Sequence, residues 1–462
     1  MSFSTDSLFK GVHQVPPGHY LTATACGGIR LVQYWDNTQF PSKDQSETRS
    51  EAEMVQLTRD KLIESVNIRM HADVPVSVYL SGGLDSCAIM GIAAAHTSRK
   101  IDAFTVSFTD DSQFDEQNIA QRMAEHTNAT MTKLEVCSQD MADNYENMIY
   151  HTEVPSFNGN GVAKYLLSKM VRDSGRKVVL TGEGSDEVFC GYQWFKEDYL
   201  DQLPQEQRDA MFAEFKKKNF LGVPKVSTSD RAAEIRKLLG FYPGFFKRWS
   251  EDHDLTGLFR SEVVNNLGDF DPLYAFIGSL SPDARRKMLH EWHPVHSSMF
   301  LWSKSFLVNN LLTTLGDRCE MAHSVEGRVP FLDHKLVELV NGFPLHTKLT
   351  PQLREKHILR EAVKPFITQE VYERQKHPFL SPPATMNRKN PLYQLMQDTL
   401  RSEDMKNVKL FDHALVLELL DHLHADNLPK DVGRQMKLDV KLNQLLGFCF
   451  LQKHFNPTIQ ID

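Results

Sequence analysis

Up to about residue 200, short apolar runs alternate with longer amphipathic stretches. The runs VPVSVYL, AFTVSF, TKLEV and KVVLT read as buried strands, since each is a few residues long and rich in β-branched or aromatic side chains. Between them, helical periodicity predicts helices from about Glu51 to His71, from near Ser86, from about Asp115 to His126, and over VAKYLLSKMVRDSG. Strands alternating with helices predict an α/β fold, doubly wound around a mainly parallel sheet, with ligands bound beyond the carboxyl ends of the strands. Before this pattern, residues 8–36 read as a short β leader broken by Pro16-Pro17-Gly18 and Gly27-Gly28, too small to hold its own core. After it the pattern is mostly helical, read as a helical layer on the sheet.

The chain has 462 residues, 41% hydrophobic, enough for one or two cores. A net charge of -8, with 52 basic and 60 acidic residues in no long run, argues against nucleic acid or a membrane as partner. Six scattered cysteines form no compact framework, and neither a signal peptide nor a membrane span is legible. These features predict a soluble, cytoplasmic protein.

The clearest chemical signal is Ser81-Gly82-Gly83-Leu84-Asp85-Ser86, after one strand and opening a helix. Glycines expose backbone N–H groups, serines add hydroxyls, and the helix N-terminus adds positive potential, so the loop is an anion cradle suited to pyrophosphate. Asp85 inside such a cradle calls for a divalent cation, and Mg²⁺ is expected. A second stretch, Thr181-Gly182-Glu183-Gly184-Ser185-Asp186-Glu187, comes after KVVLT; its three acids also call for counter-charge, assigned to a second metal contact. The bland readings are a Ser/Gly surface turn and an acidic helix cap. His290-Glu291-Trp292-His293 lacks the spacing of a zinc helix and is interrupted by Pro294.

The loop SGGLDS resembles that of the PP-loop ATP-pyrophosphatases, which are adenine nucleotide alpha hydrolase-like in fold. Together with the second motif, the stretches Asp317 to Asp333, Glu355-Lys356-His357-Ile358-Leu359-Arg360 and Arg374-Gln375-Lys376-His377-Pro378-Phe379 are similar in order and spacing to the synthetase domain of asparagine synthetases and their β-lactam-forming relatives. The resemblance divides the chain into a remnant of a glutaminase-type domain (1–37), a linker (38–50) and an ATP-pyrophosphatase domain (51–462). It implies ATP and Mg²⁺ as cofactors. It also implies nucleotide contacts at Leu80, Ser81, Gly82, Gly83, Asp85, Ser86, Val106 and Gly182, metal contacts at Asp85 and Asp186, and Lys376 as the catalytic cation. Glu183, where the β-lactam-forming relatives carry Tyr, is implied as the base that manages ammonia. Asp317, Arg318 and Arg328 are read either as site residues or as a structural ion-pair network.

The resemblance implies an AMP- and pyrophosphate-forming carbon–nitrogen ligase that adenylates a carboxylic acid, aspartate foremost, and passes it to ammonia. The leader is similar to the end of a glutaminase domain, and no cysteine precedes Cys26 to act as its nucleophile. Ammonia is therefore expected free or from a separate glutaminase; another amine, or an incomplete gene product, are the alternatives. Rival readings are a specialised amide or lactam ligase on another acid, a tRNA-directed PP-loop enzyme, for which no basic patch is visible, and an inactive paralogue acting as a partner protein.

Overall fold

The computed structural model describes residues 7–110, 117–218, 230–247, 254–375, 381–384, 387–424 and 432–457. Its centre is a five-stranded sheet built from β3 (Val76–Tyr79), β4 (Asp102–Phe108), β5 (Thr130–Val136), β6 (Val178–Leu180) and β7 (Glu326–Arg328); β1 (His19–Ala23) and β2 (Ile29–Gln33) form a separate antiparallel hairpin. The order is β5-β4-β3-β6-β7 and every pairing is parallel. Chain progression runs outward from β3 to β5 and then returns to the other side of β3. The crevice between the ends of β3 and β6 is thus a topological switch point, where such sheets bind ligands.

Both faces of the sheet are covered. On one side lie α1 (Glu51–Met70), α2 (Leu84–Ala95) and α3 (Gln117–His126), whose Leu62, Ile89 and Met123 join Val78 and Leu80 in one core. On the other lie α4 (Ser138–Thr152) and α5 (Asn160–Asp173), where Leu167 and Val171 pack on Tyr79, Phe104 and Val179. This is the doubly wound α/β arrangement expected from the alternating pattern. Residues His413–His424 and Val432–Phe455 extend the second side as the predicted helical layer.

Helix α2 is apolar on nearly every side because it is wedged between β3 and later helices. Gly91 lets it seat directly on the main chain, since a Cβ there would lie 2.0 Å from the Phe366 carbonyl oxygen. Each fully buried Ile or Met in it contributes about 1.5–3 kcal/mol. That packing fixes the position of the loop at its N-terminus.

The strand β7 differs from expectation. Glu-Gly-Arg carries no apolar pattern, and it becomes a strand only because β6 offers a free edge, with Gly327 opposite Val179. In the leader, the hairpin is largely exposed, and Trp35, just beyond it, ties the chain to the body by donating from Nε1 to Glu338 Oε1 at 2.7 Å. Phe40 is buried against Trp292, with ring centroids 5.3 Å apart. Among the described residues no helix is long and apolar enough to cross a membrane.

Candidate active site

The two glycine-rich stretches meet at the switch point. After β3, the Leu80 N–H still donates to Phe104 O at 2.9 Å, and the chain then turns through Gly82 into α2. Ser86 pulls this turn closed: its Oγ accepts from the Ser81 N–H at 3.1 Å and donates to Gly83 O at 3.2 Å. Arg374 braces the outside, donating to Gly82 O at 3.0 Å. The result presents the N-terminus of a twelve-residue helix to the crevice, the favoured seat of an anion.

The loop after β6 presses against it. A Cβ on Gly182 would lie 2.9 Å from Asp85 Cβ and 3.1 Å from the Ser86 nitrogen, so glycine is what allows the two loops to touch. Ser185, at the start of α6 (Ser185–Val188), donates from Oγ to Asp85 Oδ1 at 2.7 Å.

Between the loops lies a residue for which the sequence alone suggests no role. Lys356 Nζ is 2.6 and 2.7 Å from the two oxygens of Asp85 and 2.7 Å from Asp186 Oδ1. Its side chain is only 3% exposed, while Asp85 and Asp186 keep 23% and 17%. Burial alone would drive this lysine toward neutrality, but the two carboxylates outweigh it and hold the ammonium charged. Gly191 makes the room, since a Cβ there would fall 1.9 Å from Asp186 Oδ1 and 2.3 Å from Lys356 Cε. The preceding Glu355 anchors the segment through Lys196 at 2.5 Å and Arg360 at 3.0 Å. The acids of the two motifs call for a positive charge between Asp85 and Asp186, expected from sequence to be metal; the structure places an ammonium at that point. The available signal was the stretch Glu355 to Arg360, already noted for its resemblance.

Among the described residues no group of three or more His, Cys, Asp or Glu side chains converges as a metal site. The position that Asp85 and Asp186 share is filled by the Lys356 ammonium, but both carboxylates keep some exposure, 23% and 17%, so a divalent ion would be held by them beside that ammonium and not in its place, drawing its remaining ligands from phosphate oxygens and water.

The three acids of the second loop have separate surroundings. Asp186 faces Lys356. Glu187 turns into an aromatic wall, where its Oε1 accepts from Tyr192 OH at 2.7 Å and Trp302 Nε1 at 3.1 Å; burial raises its carboxyl to about 7. Neutral donors therefore satisfy Glu187. Glu183 is half-buried, its carboxyl pushed up by burial against the pull of Lys164, with Glu320, Asp186 and Asp85 pushing it further.

Leu80 and Val106 sit at the ends of adjacent strands but face opposite sides of the sheet, Leu80 toward α2 and Val106 toward α5. Lys376 lies outside the described residues, as do His377, Pro378 and Phe379. Arg318 and Arg328 serve structure: Arg318 pairs with Glu153 at 2.7 Å, and Arg328 donates to Arg69 O at 2.6 Å. His293 caps a helix, accepting from the Val295 N–H at 3.2 Å, and His296 is buried beside Phe40.

Comparison with known proteins agrees with this geometry. The chain is 32% identical to "Amidase chyE" of Penicillium rubens, over 93% of this chain and 67% of that protein. It is 31% identical to "Amidase chry2" of Gibberella zeae, over 91% and 66%. It is 26% identical to "Asparagine synthetase [glutamine-hydrolyzing] 3" of Bacillus subtilis, over 93% and 62%. The chain thus spans about two thirds of the length of these relatives. The sequence profile of the Asparagine synthase family matches residues 57–445, and with both motif loops converging at one sheet edge, the chain belongs to that family.

Proposed function

We propose that this chain is an ATP-dependent amide synthetase, which adenylates a carboxylic acid with release of pyrophosphate and transfers the acyl group to ammonia with release of AMP. The observation that carries this reading is the convergence of Asp85, Asp186 and the Lys356 ammonium on the anion cradle at the start of α2.

In the first step an oxygen of the acid attacks the α-phosphorus of ATP, and the bond to the β-phosphate breaks. Negative charge grows on the departing pyrophosphate, and the loop N–H groups of residues 82–86 with the Ser81 and Ser86 hydroxyls are assigned to stabilise it, while the Lys356 ammonium offsets the Asp85 and Asp186 carboxylates beside them. A magnesium ion held by Asp85 and Asp186 would add charge neutralisation on the phosphates. Lys376 is the further cation assigned to the α-phosphate, and Leu80, Val106 and Gly182 are assigned to the base.

In the second step nitrogen attacks the acyl carbon and AMP leaves. Glu183 is proposed to accept the proton that the amine sheds; burial raises its carboxyl, which makes it a stronger base than an exposed glutamate. The names of the amidase relatives favour an acid other than aspartate, whereas the asparagine synthetase relatives favour aspartate. Pyrophosphate release from ATP and Mg²⁺, measured with ammonium and each of several acids, tests the reading. An acid-dependent release supports it, and silence with every acid contradicts it.

A further inference from the structure

A buried ion pair between distant parts of the chain lies against the last residue of β3, within electrostatic reach of Glu183. Lys164, in α5, aims its ammonium at the ring of Tyr79, 3.9 Å from the centroid, and pairs with Glu320 at 2.9 Å. Tyr79 is the last residue of β3 and packs toward α5, so the cation lies on the α5 side of the sheet, at the residue before Leu80 and Ser81. Glu320 is 3% exposed. Its second oxygen occupies volume that any side chain at position 327 would need, since a Cβ on Gly327 would fall 1.9 Å from Oε2. Glu320 and Gly327 are therefore matched: the strand β7 gives up a side chain and the carboxylate fills the gap. Glu183 senses both partners, drawn toward ionisation by Lys164 and opposed by Glu320.

On the proposed function the acyl group lies beside Glu183, and a buried ammonium that acts on Glu183 is then a natural seat for a second carboxylate on the substrate. Here the protein fills that seat itself. A substrate carboxylate would have to displace a tethered one of high effective concentration, and would be repelled by both Glu320 and Glu183.

We propose that Glu320 is a specificity-determining residue: by neutralising Lys164 from within, it makes the site select an acid with a single carboxylate, uncharged or cationic elsewhere, over a dicarboxylic acid. The proposal rests on the amide-synthetase reading.

Aspartate and 3-aminopropanoate differ only by the α-carboxylate, so their relative kcat/KM for pyrophosphate release reads the preference directly; propanoate and succinate form a second pair. The wild-type chain is expected to favour the monocarboxylic member of each pair. Glu320→Ala, which opens the seat while keeping Gly327, should shift the ratio toward the dicarboxylic member by about tenfold or more, equivalent to about 1.4 kcal/mol. Glu320→Gln keeps the volume and removes the charge, so it gives the same direction of change should Glu320→Ala fail to fold. A wild-type preference for aspartate over 3-aminopropanoate, or an unchanged ratio in a folded variant, overturns the proposal while leaving the amide-synthetase reading intact. Silence of the wild-type chain with every acid overturns both.

Discussion

The ammonium of Lys356 lies within 2.7 Å of both carboxylate oxygens of Asp85, joining residues 271 positions apart in the chain. Asp186 completes the arrangement from a third segment. On the proposed function, an aspartate in the anion cradle would repel the phosphates, and this lysine relieves that conflict.

Removing this ammonium should damage both fold and chemistry. Lys356→Met leaves two carboxylates facing each other around a buried gap, a loss of about 3–5 kcal/mol in unfolding free energy. Pyrophosphate release should vanish with it. Lys376→Ala, by contrast, should abolish pyrophosphate release with the unfolding midpoint unchanged. Denaturant unfolding beside a pyrophosphate assay separates the two; an active Lys356→Met chain removes Lys356 from the mechanism.

Gly191 should tolerate no side chain. The added methyl of Gly191→Ala would collide with Asp186 and Lys356, so the carboxylates must part and ATP–pyrophosphate exchange should fall by about a hundredfold, the scale of a misplacement of about 1 Å. Unaltered exchange would mean that this cradle is not the phosphate site.

Much of this site is legible in the sequence because its parts are local. Ser81 to Ser86 and Thr181 to Glu187 each carry their chemistry within a few residues, and an apolar run before each places it at a strand end. The fold follows from the same alternation. Lys356 and Glu320 are different: a lysine or glutamate is ordinarily solvated, and only contacts with Asp85, Asp186 and Lys164 from remote segments decide that these two are buried. The strand β7 is hidden for a related reason, since its pairing with β6 is set by the sheet edge and not by its own side chains. Glu187 is hidden in the same way: nothing in its acidic motif tells that Tyr192 and Trp302, from the helices around it, will satisfy it.

Glu355 gives the fold a definite response to acid. Burial pushes its carboxyl up, but Lys196 and Arg360 outweigh this and hold it down at about 2, against 4.5 for the ordinary side chain. A depressed carboxyl stabilises the folded state above pH 4.5, and that stability is lost as pH falls through 4.5 toward 2. The shift corresponds to about 3 kcal/mol. Glu355→Gln should therefore lower the melting temperature at neutral pH and flatten its fall in acid. A variant that melts like the wild type at pH 7 would show that the ion pairs are energetically idle.

Glu183→Ala should divide the two half-reactions. ATP–pyrophosphate exchange with the preferred acid should persist, while amide formation falls by about a hundredfold or more, the usual worth of a positioned base. Equal loss of both would place Glu183 in adenylation instead.

Adenylation followed by amide transfer is tested most directly by pyrophosphate release from ATP and Mg²⁺ in the presence of ammonium, with each acid of a panel that includes aspartate and 3-aminopropanoate, and with product AMP and amide measured in the same tubes. Acid-dependent release of pyrophosphate, with matching AMP and amide, is the expected result. Release of ADP and phosphate, or no release with any acid, would contradict it.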